Sequence, residues 1–162
     1  MKPVVSDAGP LIALSRIGRL ALLRGLFGKV FIPQAVLVEL RLGEKRPGIL
    51  LLEQALSQGK WLRPRGPQIG LPIACLDPGE SQAIRLAEEM HCLLLVDERR
   101  GRIAARKRGV RVIGTGRVLI AAKRKGFIHR VDAALHELRD NGYRLSDDLC
   151  RRILILAGEA RR

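Results

Sequence analysis

Aromatic side chains are scarce in this chain, with one Trp, one Tyr and three Phe among 162 residues. A stacking platform needs successive exposed rings, so that mode of binding is hard to build here. Cysteine is equally sparse. Cys75, Cys92 and Cys150 are odd in number and far apart, with no CxxC or Cys/His cluster. That argues against a disulfide framework and a zinc site, and the three read as small semi-buried thiols. Long apolar runs are missing too. Ile49–Leu52 and Leu93–Val96 are typical, against the roughly 20 residues that span a bilayer. The first apolar stretch is broken by Asp7, Pro10, Arg16 and Arg19, and no small-residue cleavage site follows it. A signal peptide is therefore not expected, and a cytoplasmic location is.

Acids are the scarce charge. Lys and Arg number 30 against 16 Asp and Glu, a formal net charge of +14. Such an excess favours a polyanionic partner, nucleic acid first and an anionic membrane surface as its competitor. Contact with phosphates rather than stacking on bases is expected to dominate. With 47% hydrophobic and 28% charged residues, the chain suits a single globular domain over 1–162 with one sizeable core.

Short apolar runs alternate with helical spacings. Lys2–Ser6 reads as a buried strand ending at Asp7, and Gly9 and Pro10 open a helix carrying Leu11, Leu14 and Ile17. Gly18 breaks it, and a short helix with Leu20, Leu22, Leu23 and Leu26 follows. Val30–Ile32 is the second strand. Pro33 starts a helix with Val36, Leu37 and Leu40 that Gly43 ends, and Pro47 starts another through Ala55. Lys60–Arg63 reads as an edge strand, and residues 64–76, with three Pro and two Gly, as a surface loop. Asp77-Pro78-Gly79-Glu80 is a helix start, with Asp77 as N-cap, Pro78 first and Glu80 third. Leu93–Val96 is the next strand, ending at Asp97, and a basic helix from Glu98 to Arg108 follows it. After strand Val110–Ile113, Gly114-Thr115-Gly116 leads into a helix ending near Gly126. Two more helices are expected near Val131–Arg139 and Ser146–Ala157, packed on the same core. Strands joined by helical crossovers predict a three-layer α/β fold around a mainly parallel sheet of four or five strands.

Sites in such sheets form beyond the carboxyl ends of the strands. Asp7 and Asp97 sit directly at two such ends. Glu39 lies about two turns into the helix after the second strand, and Glu80 in the first turn of the helix leading to the fourth. Four converging carboxylates repel one another in a low-dielectric pocket, and a divalent cation removes that cost. Oxygen ligands suit Mg2+ or Mn2+, and such an ion can orient and polarise a phosphodiester and activate a water. Each acid also has a plainer reading. Glu80 can complete a capping box with Asp77. Glu39 can be a surface residue paired with Arg41 or Lys45, and a strand-end acid can be a helix N-cap.

In order along the chain stand "VVSDAGPLIAL", "FIPQAVLVEL", "LDPGESQAIRLAEE", "LLLVDERRGRIAARKRGVRVIGTGRVLIAAKRKGFI" and a closing "ILILAGE". Together they resemble a prokaryotic subgroup of PIN-domain proteins similar to VapC-type toxins, and the resemblance covers nearly the whole chain. It implies an α/β/α fold and a magnesium-dependent ribonuclease, plausibly the toxin of a type II toxin–antitoxin pair. Asp7, Glu39, Glu80 and Asp97 match the family's four acids, with Asp7, Glu39 and Asp97 on the metal. Thr115 falls where a hydroxyl could position a ligand. A small antitoxin and a homodimer are the partners the resemblance implies. Ala8 stands where many PIN domains carry Thr or Ser, and Glu80 where many carry Asp. These departures keep open a weak or inactive module that only binds nucleic acid.

From Arg99 to Lys125 there are eleven Lys or Arg and no acid. Arg99, Arg102 and Arg106, on the helix just past Asp97, are the expected nucleic-acid contacts, with metal on the scissile phosphate and cations on its neighbours. Lys and Arg at helix C-termini, as at Lys107, Arg108 and Lys123–Lys125, also favour the helix dipole with no ligand at all.

Overall fold

In the computed structural model, residues 1–66 and 70–161 are described. The order is β1 (Val4–Ser6), α1 (Ala8–Arg16), α2 (Ala21–Phe27), β2 (Val30–Ile32), α3 (Gln34–Glu39), α4 (Ile49–Gln58), β3 (Leu62–Pro64), α5 (Pro78–Glu89), β4 (Leu93–Leu95), α6 (Arg99–Lys107), β5 (Val112–Ile113), α7 (Thr115–Arg124), α8 (Val131–Asp140) and α9 (Asp147–Leu156). The five strands form one sheet in the order β3-β2-β1-β4-β5, and every pairing is parallel. This is the three-layer α/β arrangement the alternating pattern predicts.

β1 lies at the centre, with Val4 opposite both Val30 and Leu93. Val4, Val5, Val30, Leu94 and Leu95 are essentially inaccessible, as strands covered on both faces require. α3 packs on α5 and α5 on α6, while α2 packs on α7, which also carries α8 and α9. Val131, Leu135, Leu138 and Ile153 join the same buried cluster as the strands. From β1 the chain steps outward to β2 and β3, then returns to the other side of β1 as β4. The strand order thus reverses between β1 and β4, the position beyond whose carboxyl ends ligands bind in sheets of this kind.

Several elements are shorter than the apolar pattern suggests. β4 stops at Leu95, although the Val96 amide still donates to the Ile113 carbonyl of β5 at 3.0 Å. β5 keeps only Val112–Ile113 of the expected run from Val110. α3 ends at Glu39, with Arg41 at φ 47, well before Gly43. α4 begins at Ile49 rather than Pro47, because Gly48 has φ 83 and a Cβ there would collide with the Ser15 backbone. In the opposite direction, α1 begins one residue before Gly9, at Ala8. The loop expected over 64–76 lies partly outside the described residues, at 67–69. No helix among the described residues is long and apolar enough to cross a membrane.

Candidate functional site

Asp7 follows β1 directly, and its amide still belongs to the sheet, donating to the Leu95 carbonyl at 2.9 Å. It takes the N-cap position of α1, yet its side chain makes no capping bond. The residue is 6% exposed, and its Oδ1 is buried with no hydrogen-bond partner. Burial pushes this carboxyl up to about 7, against the opposing pull of the Ala8 amide, and the charges of Glu39, Asp77 and Glu80 push the same way. A buried, unpaired carboxylate is unfavourable, so Asp7 in the metal-free site takes up a proton far more readily than an exposed Asp does.

Glu39 is the last residue of α3, and the packing of α3 on α5 sets it against the first turn of α5. There the Gly79 amide hydrogen-bonds its carboxylate. A Cβ on Gly79 would overlap Glu39 Oε1, so only glycine admits this approach. Burial, followed by the charges of Asp77 and Glu80, holds the Glu39 carboxyl above its usual range. The Asp77 carboxyl is also within hydrogen-bonding reach of Glu39.

Glu80 is buried in the first turn of α5. The expected cap is present, as Asp77 Oδ1 accepts from the Glu80 amide at 2.8 Å. The Asp77 amide acts back on the Glu80 carboxylate, the second half of a capping box. The same carboxylate reaches α6, where a Cβ on Gly101 would stand 3.0 Å from Oε1. Its acidity is weakened chiefly by burial and by Asp77, with Arg100 pulling the other way. Capping and membership of the acidic cluster therefore coexist in one side chain.

Asp97, two residues past β4, is held by the start of α7. Thr115 donates its amide to Oδ1 at 2.8 Å and its hydroxyl to Oδ2 at 2.6 Å. Gly114 leaves the space for this, since a Cβ there would be 3.0 Å from Asp97 Oδ1 and 2.7 Å from Arg102 Nη1. The Tyr143 hydroxyl lies within hydrogen-bonding reach of both Asp97 and Thr115, and burial and the Asp97 charge lift its pKa far above the ordinary phenol value. It therefore stays a neutral donor towards the carboxylate.

The basic segment divides by use. Arg99 and Arg106 are exposed on α6. Arg102 turns inward and donates from Nη1 to the Val96 carbonyl at 3.0 Å, which pins the end of β4. Arg108 pairs with Glu88 and Lys123 with Glu159, each at 2.7 Å. Thr115, buried at 1% exposure, spends its amide and its hydroxyl on Asp97.

Asp7, Glu39, Asp77 and Glu80 are thus electrostatic neighbours, and Asp97 stands at the end of the adjacent strand. An orphaned buried oxygen, an all-oxygen donor set and mutually raised carboxyls fit a hard divalent cation. Among the described residues, no three His, Cys, Asp or Glu side chains stand close enough to hold a metal as they are. The carboxyls share a field without yet sharing a coordination shell. Sequence reasoning missed two contributors. Asp77 reads only as an N-cap, although its place two residues before Gly79 puts it beside Glu39. Tyr143 lies in a turn after α8 and carries no motif; being the only tyrosine was its one signal.

A sequence profile of the family described as a PIN domain matches residues 3–159. No curated protein matches. Among solved structures, the chain is similar to a PilT N-terminus domain protein from the hyperthermophilic archaeon Sulfolobus solfataricus. The TM-score is 0.52 at 17% identity, covering 74% of this chain and 92% of that one. At that identity the likeness concerns the fold.

Proposed function

Since the chain belongs to the PIN-domain family, whose fold is generally that of nucleases, we propose that it is a magnesium-dependent endoribonuclease. The observation that carries this is the buried, unpartnered Oδ1 of Asp7 among Glu39, Asp77 and Glu80. Asp7, Glu39 and Asp97 would hold Mg2+ (or Mn2+). The bound ion would supply Lewis acidity towards the phosphodiester and a more acidic water. Glu80, anchored at the head of α5, would orient that water. Thr115 and Tyr143 hold the Asp97 carboxyl in place. Arg99 and Arg106, which are free of protein partners in the hydrogen bonds and ion pairs described, would take the flanking phosphates.

RNA cleavage with magnesium, without it, and with Asp7→Asn tests the reading. Activity is expected only in the intact protein with the ion, and cleavage that survives both metal removal and the substitution would overturn it. A second reading is favoured by the exposed cations of α6: a module that grips nucleic acid without cutting it. It predicts salt-sensitive RNA binding that Asp7→Asn preserves or strengthens, with no cleavage under any metal. In the nuclease reading the whole of residues 1–162 acts as one cytoplasmic domain. A homodimer silenced by a small antitoxin is its proposed biological form.

A further inference from the structure

Where α7 meets the outer edge of the sheet there is a groove of about 350 Å3, at the small end of the range for ligand sites. Ile113, Ile120 and Ala121 give it apolar walls, and Arg117, Arg124 and Lys125 surround them with charge. Arg117, Ala121 and Arg124 recur at helical spacing, so they share one stripe of α7. The three cations are exposed, and among the described residues their side chains enter no hydrogen bond or ion pair. Lys123, between them on the same helix, is by contrast paired with Glu159. No acid occurs in the sequence from Arg99 to Lys125, so the segment brings no counter-charge of its own. The neighbouring backbone is open as well. β5 is the last strand of the sheet. The carbonyls of Arg111 and Ile113 both accept from β4, from the amides of Leu94 and Val96 at 2.9 and 3.0 Å. Alternation along the strand then turns the N–H and C=O of Val112, between them, towards the unoccupied edge.

These features choose between occupants. A second copy of this chain would bring the same cations and a net charge of +14 to the contact, so like charges oppose it. A phosphate backbone would use the cations, but neither the apolar walls nor the main-chain edge. A polypeptide carrying carboxylates and apolar side chains uses all three. We propose that this groove is the docking site for an acidic segment of a partner protein. Its apolar side chains rest on Ile113, Ile120 and Ala121, its carboxylates meet Arg117, Arg124 and Lys125, and its main chain runs beside Val112. Arg117 follows Thr115 within the first turn of α7, so the segment sits on the helix that presents Asp97. The inference does not depend on the nuclease reading.

The test uses the whole chain and an array of short fluorescein-labelled peptides in which Glu alternates with Leu, Ile or Val. Binding is read by fluorescence anisotropy at physiological salt. Saturable binding is expected, and it should weaken about ten-fold when Ser replaces the apolar residues, because the charge is kept and the apolar burial is lost. Arg117→Glu combined with Arg124→Glu should weaken it by about ten-fold or more, since attraction becomes repulsion. Ala121→Arg separates peptide from RNA. It keeps the surface basic and suits a helix, while its long side chain covers the apolar wall. The expected result is loss of the peptide with no weakening of binding to a short single-stranded RNA. Circular dichroism and melting establish that each variant folds, and Ala121 is partly exposed, which leaves room for the longer side chain. The proposal is overturned if no peptide of the array binds saturably. It is overturned equally if Ala121→Arg and the Ser-containing peptides keep full affinity, which would assign the cations to nucleic acid or to unspecific charge. Cleavage of RNA is read in a separate assay, so either hypothesis can fail while the other stands.

Discussion

Thr115 binds Asp97 through both of its donors, the amide to one carboxylate oxygen at 2.8 Å and the hydroxyl to the other at 2.6 Å. The first residue of α7 is thereby tied to the end of β4, and the strand-end carboxylate caps a helix that Gly114 cannot cap with a side chain of its own. The remaining lone pairs of the carboxylate are aimed by this grip rather than consumed by it. In this arrangement α7 is the support on which Asp97 is presented.

Thr115→Val removes the hydroxyl while keeping the shape. A hydrogen bond to the carboxylate is lost and Asp97 keeps only the Thr115 amide and the Tyr143 hydroxyl, so a loss of about 1.5–3 kcal/mol is expected. Urea denaturation of the metal-free protein reads it. An unchanged midpoint and slope would mean that the hydroxyl contributes nothing to holding the carboxylate.

Asp7 gives the metal-free protein a pH dependence of definite sign. Its folded-state pKa, about 7, is above the 3.8 of an exposed Asp. The folded protein then binds the proton more tightly than the unfolded chain does. The stabilisation is complete below about pH 4 and drains away as pH rises towards 7, by up to roughly 4 kcal/mol. Asp7→Asn should flatten that stretch of the curve, measured by thermal melts across pH without metal. A curve of unchanged steepness in the variant would assign the titration elsewhere.

Magnesium should act through the same carboxyls. A cation favours their ionised forms, so it should raise the melting temperature little near pH 5 and more above pH 7, with protons released on binding. Calorimetric titrations in two buffers of different ionisation enthalpy count those protons. Binding that is pH-independent between 5 and 8 would exclude Asp7 from the ligand set.

Gly79→Ala tests the approach of Glu39. The added methyl needs the space that Glu39 Oε1 occupies, while alanine suits the first turn of α5 as well as glycine does. The expected outcome is a folded protein whose magnesium response is largely lost. A retained magnesium-induced rise in melting temperature would show that Glu39 is dispensable for the ion.

The cations of α6 should separate by role. Arg99→Ala and Arg106→Ala are each expected to weaken RNA binding and to lower the salt slope by about 0.7, one phosphate contact on a single strand. Arg102→Ala should instead cost stability, because the Val96 carbonyl at the end of β4 loses its donor. Anisotropy over a salt series, paired with denaturation, distinguishes the two classes.

The frame of the site was readable in the sequence because two strong local signals coincide with topology. Val4–Val5 before Asp7 and Leu93–Leu95 before Asp97 are apolar runs ended by an acid, and both strands proved central and adjacent. Asp77-Pro78 marked the start of α5 without help from tertiary structure, since capping is a local interaction. Glu39 was different. Nothing on its own helix distinguishes it from a surface acid, and its position follows from the packing of α3 on α5 and from the bare backbone of Gly79. Arg102 and Arg99 look alike in sequence, yet three positions of helical rotation turn one to the Val96 carbonyl and leave the other exposed. Tyr143 was illegible, because the turn after α8 meets Asp97 only once α8 has packed against α7.

The strand order also sets a sequence of events during synthesis. β1 is finished only when β4 lies against it, and β4 is separated from it by two other strands and five helices. A ribosome that has released Asp7 and Glu39 has still to make Asp97, then Thr115, then Tyr143. The nascent N-terminal half therefore carries Asp7, Glu39, Asp77 and Glu80 without Asp97 or the two residues that hold it. The acidic centre proposed to hold the cation is completed only after the sheet's second half has been made.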